Sequence, residues 1–206
     1  VWTKTGFEVF PKKINSMQYF RLLDELNFPN RWHLRRLVGI DGAEFARPPM
    51  VAIGDPVRER AYEVELQVDG TAMDYTTTSF RSVPIASFEV VRALSGLDGF
   101  TALPASIRAF SQRTSYHILH FWDEVDCVDE DKSQFEKFQP NDPIRPDLAG
   151  HYSSFFKLII DPNRTAGKDI FRLAKSGSEV IVSEEVKRRF EAADVTGAVF
   201  KRVTDD

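Results

Sequence analysis

Alternation of apolar and polar residues is cleanest over Tyr62–Val68. Tyr62, Val64, Leu66 and Val68 fall on one face and Glu63, Glu65 and Gln67 on the other, before Asp69-Gly70 turns the chain. This spacing predicts a half-buried strand. Across residues 17–26, Phe20, Leu23 and Leu26 recur at helical spacing, which predicts a helix stopped by Asn27-Phe28-Pro29-Asn30. Residues 31–40 carry Trp32, Leu34, Leu37 and Val38 and end at Asp41-Gly42, a hairpin dipeptide, so they read as strand.

From residue 83 the order becomes strand, helix, strand. Residues 83–86 are extended, Ser87 is placed to cap a helix over 88–94, and 100–103 are extended again. The same order returns near the C-terminus. Residues 180–182 are extended, Ser183 is placed to cap, Glu184 and Glu185 suit the positive helix end, Val186 and Phe190 form an apolar stripe, and Gly197 precedes extended residues 198–203. Sliding the sequence by 96 residues lays 84–107 on 180–203 without a gap. Ile85, Ser87, Glu89, Val90, Arg92, Asp98 and Ala102 then meet Ile181, Ser183, Glu185, Val186, Arg188, Asp194 and Ala198. Two readings stay open: an internal duplication, or coincidence between two segments of the same local grammar.

Between these segments, residues 115–122 read as a strand and 133–138 as a short helix. Pro140, Pro143 and Pro146 make a stiff connection, residues 155–160 form a strand, and Asp161-Pro162-Asn163-Arg164 turns toward apolar residues 170–173. The predicted fold is α+β: one domain over residues 1–206, with an antiparallel or mixed sheet and helices packed against it.

Composition narrows the function classes. The 206 residues are 42% apolar and 28% charged, which suits a globular chain able to bury a core without disulfides. A net charge of -4 gives no basic footprint for nucleic acid. No run of 18 apolar residues appears, so no membrane span is expected. Val1-Trp2-Thr3-Lys4 lacks a signal-peptide stretch and an initiating Met, as a trimmed chain would, and the single Cys127 fits a reducing compartment. A cytoplasmic location is expected, with no cofactor. Nothing reads as a coiled-coil seam that would set an oligomeric state.

Few residues carry chemistry. His117, His120 and Asp123 have a spacing that would gather metal ligands on a helix, but on a strand His117 and His120 point to opposite faces. His151 is isolated, and Cys127 has no cysteine-hydrolase signature around it. Phosphate loops, nucleophile elbows, H-E-x-x-H and C-x-x-C are all absent. The main anomaly is residues 123–131, where Asp123, Glu124, Asp126, Asp129, Glu130 and Asp131 put six carboxylates into nine residues. Such a run is a solvated turn, a docking surface for a basic partner or, less well supported because the D-x-D-x-D-G grammar of a calcium loop is not met, a divalent-metal site. Trp2, Trp32, Phe121, Trp122 and Tyr152 are aromatic residues that could serve the core or anchor a contact.

Several stretches resemble one family. Asp169-Ile170-Phe171-Arg172-Leu173, Val180-Ile181-Val182-Ser183-Glu184-Glu185-Val186 and Val195-Thr196-Gly197-Ala198-Val199-Phe200 are similar to the ending of immunity protein family eleven of bacterial polymorphic toxin systems. Arg31-Trp32-His33-Leu34 and the block from Val125 to Ser133 resemble earlier family motifs, while Arg35-Arg36 and residues 43–60 depart from them. The resemblance implies an α+β protein that binds and neutralises a cognate toxin encoded beside it, and it brings no catalytic residues. Partner contact is then expected at Trp122, Asp123, Asp126, Asp129, Glu130 and Asp131. The alternative is a small enzyme that reverses the toxin's damage with His117, His120, His151 or Cys127.

Overall fold

The computed structural model describes residues 17–39, 62–79, 83–108, 113–176 and 178–205. Trp2, the Asp41-Gly42 turn and residues 43–60 lie outside the described residues. In chain order the elements begin with β1 (Tyr19–Asp24), β2 (His33–Gly39), β3 (Tyr62–Val68), β4 (Tyr75–Thr77), β5 (Pro84–Ala86), α1 (Phe88–Ala93) and β6 (Phe100–Arg108). They continue with β7 (Arg113–Phe121), β8 (Glu124–Val125), β9 (Gln134–Lys137), β10 (Tyr152–Lys157), β11 (Ile170–Leu173), β12 (Val180–Ser183), α2 (Glu184–Ala192) and β13 (Ala198–Arg202). A six-stranded sheet has the order β2-β3-β6-β7-β5-β4, a five-stranded sheet the order β13-β1-β12-β11-β8, and β9 pairs with β10 alone. Both large sheets are mixed: β3 runs parallel to β6, and β8 parallel to β11.

The expected α+β class is therefore corrected to a β-rich fold, with two short α-helices among the described residues. Two helices predicted from spacing are strands. Over residues 17–26 the chain forms β1, between β12 and β13. Phe20 and Leu22 enter one core while Tyr19 enters another, so burial on both faces hides the period of two. Leu26, the last residue of the apparent helical stripe, is 74% exposed. Within residues 133–138 the chain forms β9, where Gln134 and Glu136 are exposed while the Phe135 ring meets Tyr152 edge-on at 5.2 Å.

Residues 84–107 and 180–203 follow the same path of strand, helix and strand. Their neighbours match as well, for β6-β7-β5-β4 and β13-β1-β12-β11 are each antiparallel throughout. Ala86 lies between Tyr75 and His117, and Val182 between Ile170 and Phe20. Ser87 and Ser183 occupy the helix N-cap positions, yet neither hydroxyl caps its helix. Each donates instead to an aspartate at the start of the neighbouring strand, Ser87 to Asp74 at 2.8 Å and Ser183 to Asp169 at 2.6 Å. The serine N–H groups donate to the carbonyls of the same two aspartates.

Two glycines tie these halves together. Gly197 lies against the Tyr75 carbonyl at the head of β4, and Gly99 against the Ile170 carbonyl at the head of β11. The helices meet where Arg189 of α2 donates to the carbonyls of Ala93 and Ser95 at the end of α1. One core joins Phe20, Leu22, Leu119, Phe121, Val186 and Phe190, and Tyr116 and Ile118 on the other side of β7 join Leu34, Val64 and Ile107 in a second. A third gathers Tyr19, Cys127, Val128, Phe171, Leu173 and Ile181 beneath the acidic run.

Candidate functional site: the acidic face

The acidic run leaves β7, adds β8 alongside β11 and then crosses the third core. Its apolar members hold it down: Cys127 and Val128 are buried, and Val128 bridges Ile160. The backbone is fixed at each step. Asp123 C=O accepts from Arg172 N–H at 2.8 Å, Val125 C=O from Ala174 N–H at 3.0 Å, and Cys127 C=O from Asp161 N–H at 2.8 Å. Asp129 N–H donates to Ile159 C=O at 2.9 Å.

With the backbone pinned, the carboxylates point outward and meet cations of their own chain. Lys168 lies 2.6 Å from Asp123, and Arg164 and Lys175 each lie 3.2 Å from Asp126. Lys132 lies 3.5 Å from Asp129. Glu130 accepts from Lys137 at 2.7 Å and from the Tyr152 hydroxyl at 2.6 Å, and these two hydrogen bonds hold its pKa below the usual carboxylate range. Among the described residues no cation pairs with Glu124 or Asp131.

Asp126, Asp129, Glu130 and Asp131 come together around an open depression of about 420 Å³, joined by Asp161, Arg164 and Lys175. Five carboxylates line it, against Arg164 and Lys175 in the lining and Lys132 and Lys137 paired from beside it, so the depression keeps a small acidic excess centred on Asp131. Trp122 and Asp123 do not line it. Trp122 is 48% exposed at the end of β7, with its N–H donated to Gly99 C=O at 3.1 Å, and Asp123 belongs with Lys168. Trp32, Phe121 and Tyr152 are buried in the cores. Sequence reasoning missed Asp161, Arg164, Lys175 and the pairing of Lys137 and Tyr152 with Glu130, because these partners reach the run only through the fold.

The remaining reactive side chains are not gathered. His117 lies on the strand opposite Pro104 and His120 opposite Thr101, and burial lowers the pKa of both, with the Arg172 charge adding to the effect at His120. Burial therefore favours the neutral form of both. His151, far along the chain from either, donates through Nδ1–H to the Leu148 carbonyl at 3.1 Å. Burial pushes the Cys127 thiol up to about 12, which removes the thiolate that nucleophilic attack requires. Among the described residues no three His, Cys, Asp or Glu side chains are placed to hold a metal ion, and no described helix is long and apolar enough to cross a membrane.

A model of the immunity protein family Imm11 matches residues 95–205, a stretch that contains the whole acidic face. No curated protein matches the chain.

Proposed function

Because the chain belongs to the Imm11 immunity protein family, whose members are typically non-enzymatic inhibitors, we propose that it neutralises a toxin encoded beside it by stoichiometric binding in the cytoplasm of the producing cell. The family match carries this reading. The acidic face supports it, since an excess of fixed negative charge raises encounter rates with a basic partner and sets its orientation. An interface of ordinary size would cover about 800 Å² of each protein, with affinity concentrated in a few anchors. The toxin is held inactive or has its active site covered, and no turnover by the immunity protein is involved.

The test is growth of a sensitive host that expresses the adjacent gene product together with this protein at titrated levels. Rescue at matched expression, retained when His117, His120, His151 and Cys127 are each replaced by Ala, is the expected result. Rescue at trace levels that vanishes with one of those replacements would establish an enzyme instead. Charge reversal by Asp126→Lys, Asp129→Lys and Asp131→Lys is expected to slow association about tenfold or more at low salt and to flatten its salt dependence. An unchanged rate would remove the acidic face from the mechanism.

A further inference from the structure

Strands β9 and β10 are antiparallel neighbours, and a two-residue turn suffices to join such a pair. Here residues 138–151 are inserted between them. Connections of this length are uncommon in compact proteins and are usually either functional loops or linker segments. Phe138 N–H donates to His151 C=O and Gly150 N–H to Phe138 C=O, both at 2.9 Å, so the ends of the loop are closed on each other.

No residue from 138 to 151 is buried, so no core contact holds the loop in shape. Its own bonds do so. Asp142 Oδ1 accepts from the N–H groups of Ile144 at 2.9 Å and Arg145 at 2.7 Å, and Asp142 N–H donates to Gln139 C=O at 3.0 Å. The Arg145 guanidinium pairs with both carboxylate oxygens of Asp147 at 3.0 and 2.9 Å. Pro140, Pro143 and Pro146 fix three φ angles, and Pro146–Leu148 form a turn of 3-10 helix. At the outer bend stands Ile144, 82% exposed, the most exposed large apolar side chain among the described residues.

The stem of this loop is bonded to the acidic face. Lys137 and Tyr152, which bracket the insertion, both donate to Glu130, and Tyr152 N–H donates to Lys175 C=O at 2.8 Å. The Lys137 ammonium also stands 4.9 Å from the centre of the Tyr152 ring. The stem of the loop is thus tied to the depression through Glu130 and Lys175.

We propose that residues 138–151 are the pre-formed binding loop of this protein, and that Ile144 seats in an apolar recess of the toxin whose basic rim faces the acidic depression. This rests on the proposed neutralising function. Ordering a surface loop before contact removes an entropic cost from association, and an isoleucine displayed on such a loop regains its burial only in the complex. Arg145 pairs with Asp147 and Asp142 accepts two loop N–H groups, so each charged group beside Ile144 already has a hydrogen-bonding partner within the loop.

The experiment measures binding of the full chain to an active-site-inactivated form of the adjacent toxin by surface-immobilised kinetics, beside a thermal melt of each variant. Ile144→Asp is expected to keep the wild-type melting temperature and to weaken binding about thirty-fold or more, mainly through faster dissociation. Asp142→Ala, which frees the loop while leaving Ile144 in place, is expected to weaken binding by about threefold to tenfold. If wild type binds and Ile144→Asp binds equally well, the loop assignment is overturned while the neutralising function stands. Should wild type fail to bind, both fall.

Discussion

Replacing Gly197 with Ala isolates the contact that joins the two matched halves. Gly197 has φ +85, and placing a Cβ in the left-handed region costs about 1–2 kcal/mol. The new methyl would also collide with the Tyr75 carbonyl and come within 2.8 Å of Met73 Cβ. Relief requires moving the head of β4, which breaks the bond from Tyr75 N–H to Thr196 C=O at 3.0 Å and disturbs the Asp74 carboxylate, which accepts from the Thr196 hydroxyl at 2.7 Å and its N–H at 3.0 Å. At about 1 kcal/mol for each of these three bonds, added to the conformational cost, the total is about 4–5 kcal/mol. Gly96 supplies the control: its φ is +79, but nothing lies within 4 Å of a Cβ there, so Gly96→Ala carries the conformational cost of about 1–2 kcal/mol alone. Urea unfolding of both variants measures the difference, provided the slope with denaturant is unchanged. A gap between them below about 1 kcal/mol would refute the packing argument.

Two further substitutions test the interior. Arg31 and Asp24 form an ion pair at 2.8 Å with each side chain 9% exposed, so Arg31→Met leaves a buried carboxylate and is expected to cost about 3–5 kcal/mol in urea unfolding. Adding Asp24→Leu should recover part of that loss, and a double variant no more stable than the single one would show that the pair itself is not the cause. Cys127, fully buried with its thiol held protonated, is expected to react with a thiol reagent at neutral pH only at the rate of unfolding, and rapid labelling of the native protein would overturn its structural assignment.

Legibility in the sequence followed burial. Tyr62–Val68 was readable because one face is covered more than the other, and β5-α1-β6 and β12-α2-β13 were readable because short helices punctuate them. β1 was misread because a central strand with both faces covered loses its alternation, leaving Phe20, Leu23 and Leu26 to mimic a helix. The cap expectation failed for a different reason. Ser87 and Ser183 sit where caps belong, but their hydroxyls are taken by Asp74 and Asp169, a choice made by tertiary neighbours rather than by local sequence. The carboxylates of the acidic face were visible in composition, whereas Arg164, Lys175 and Tyr152 came to them only through strand pairing.

Charge and burial act on the same nine residues, and their combination separates the role of the acidic face from that of the fold. Val125, Cys127 and Val128 interrupt the carboxylates and pack with Phe171 and Leu173, so the anchor lies in the apolar residues and the backbone bonds. The carboxylates stand on the solvent side of that anchor, and their ion pairs with Lys132, Arg164 and Lys175 are between half-exposed groups, which contribute about 0–1 kcal/mol each. Reversing Asp126, Asp129 and Asp131 therefore changes the field of this surface far more than it changes stability. Under the proposed function, such a surface can vary its charge pattern to suit a particular toxin while β8, β11 and the loop stem stay in place.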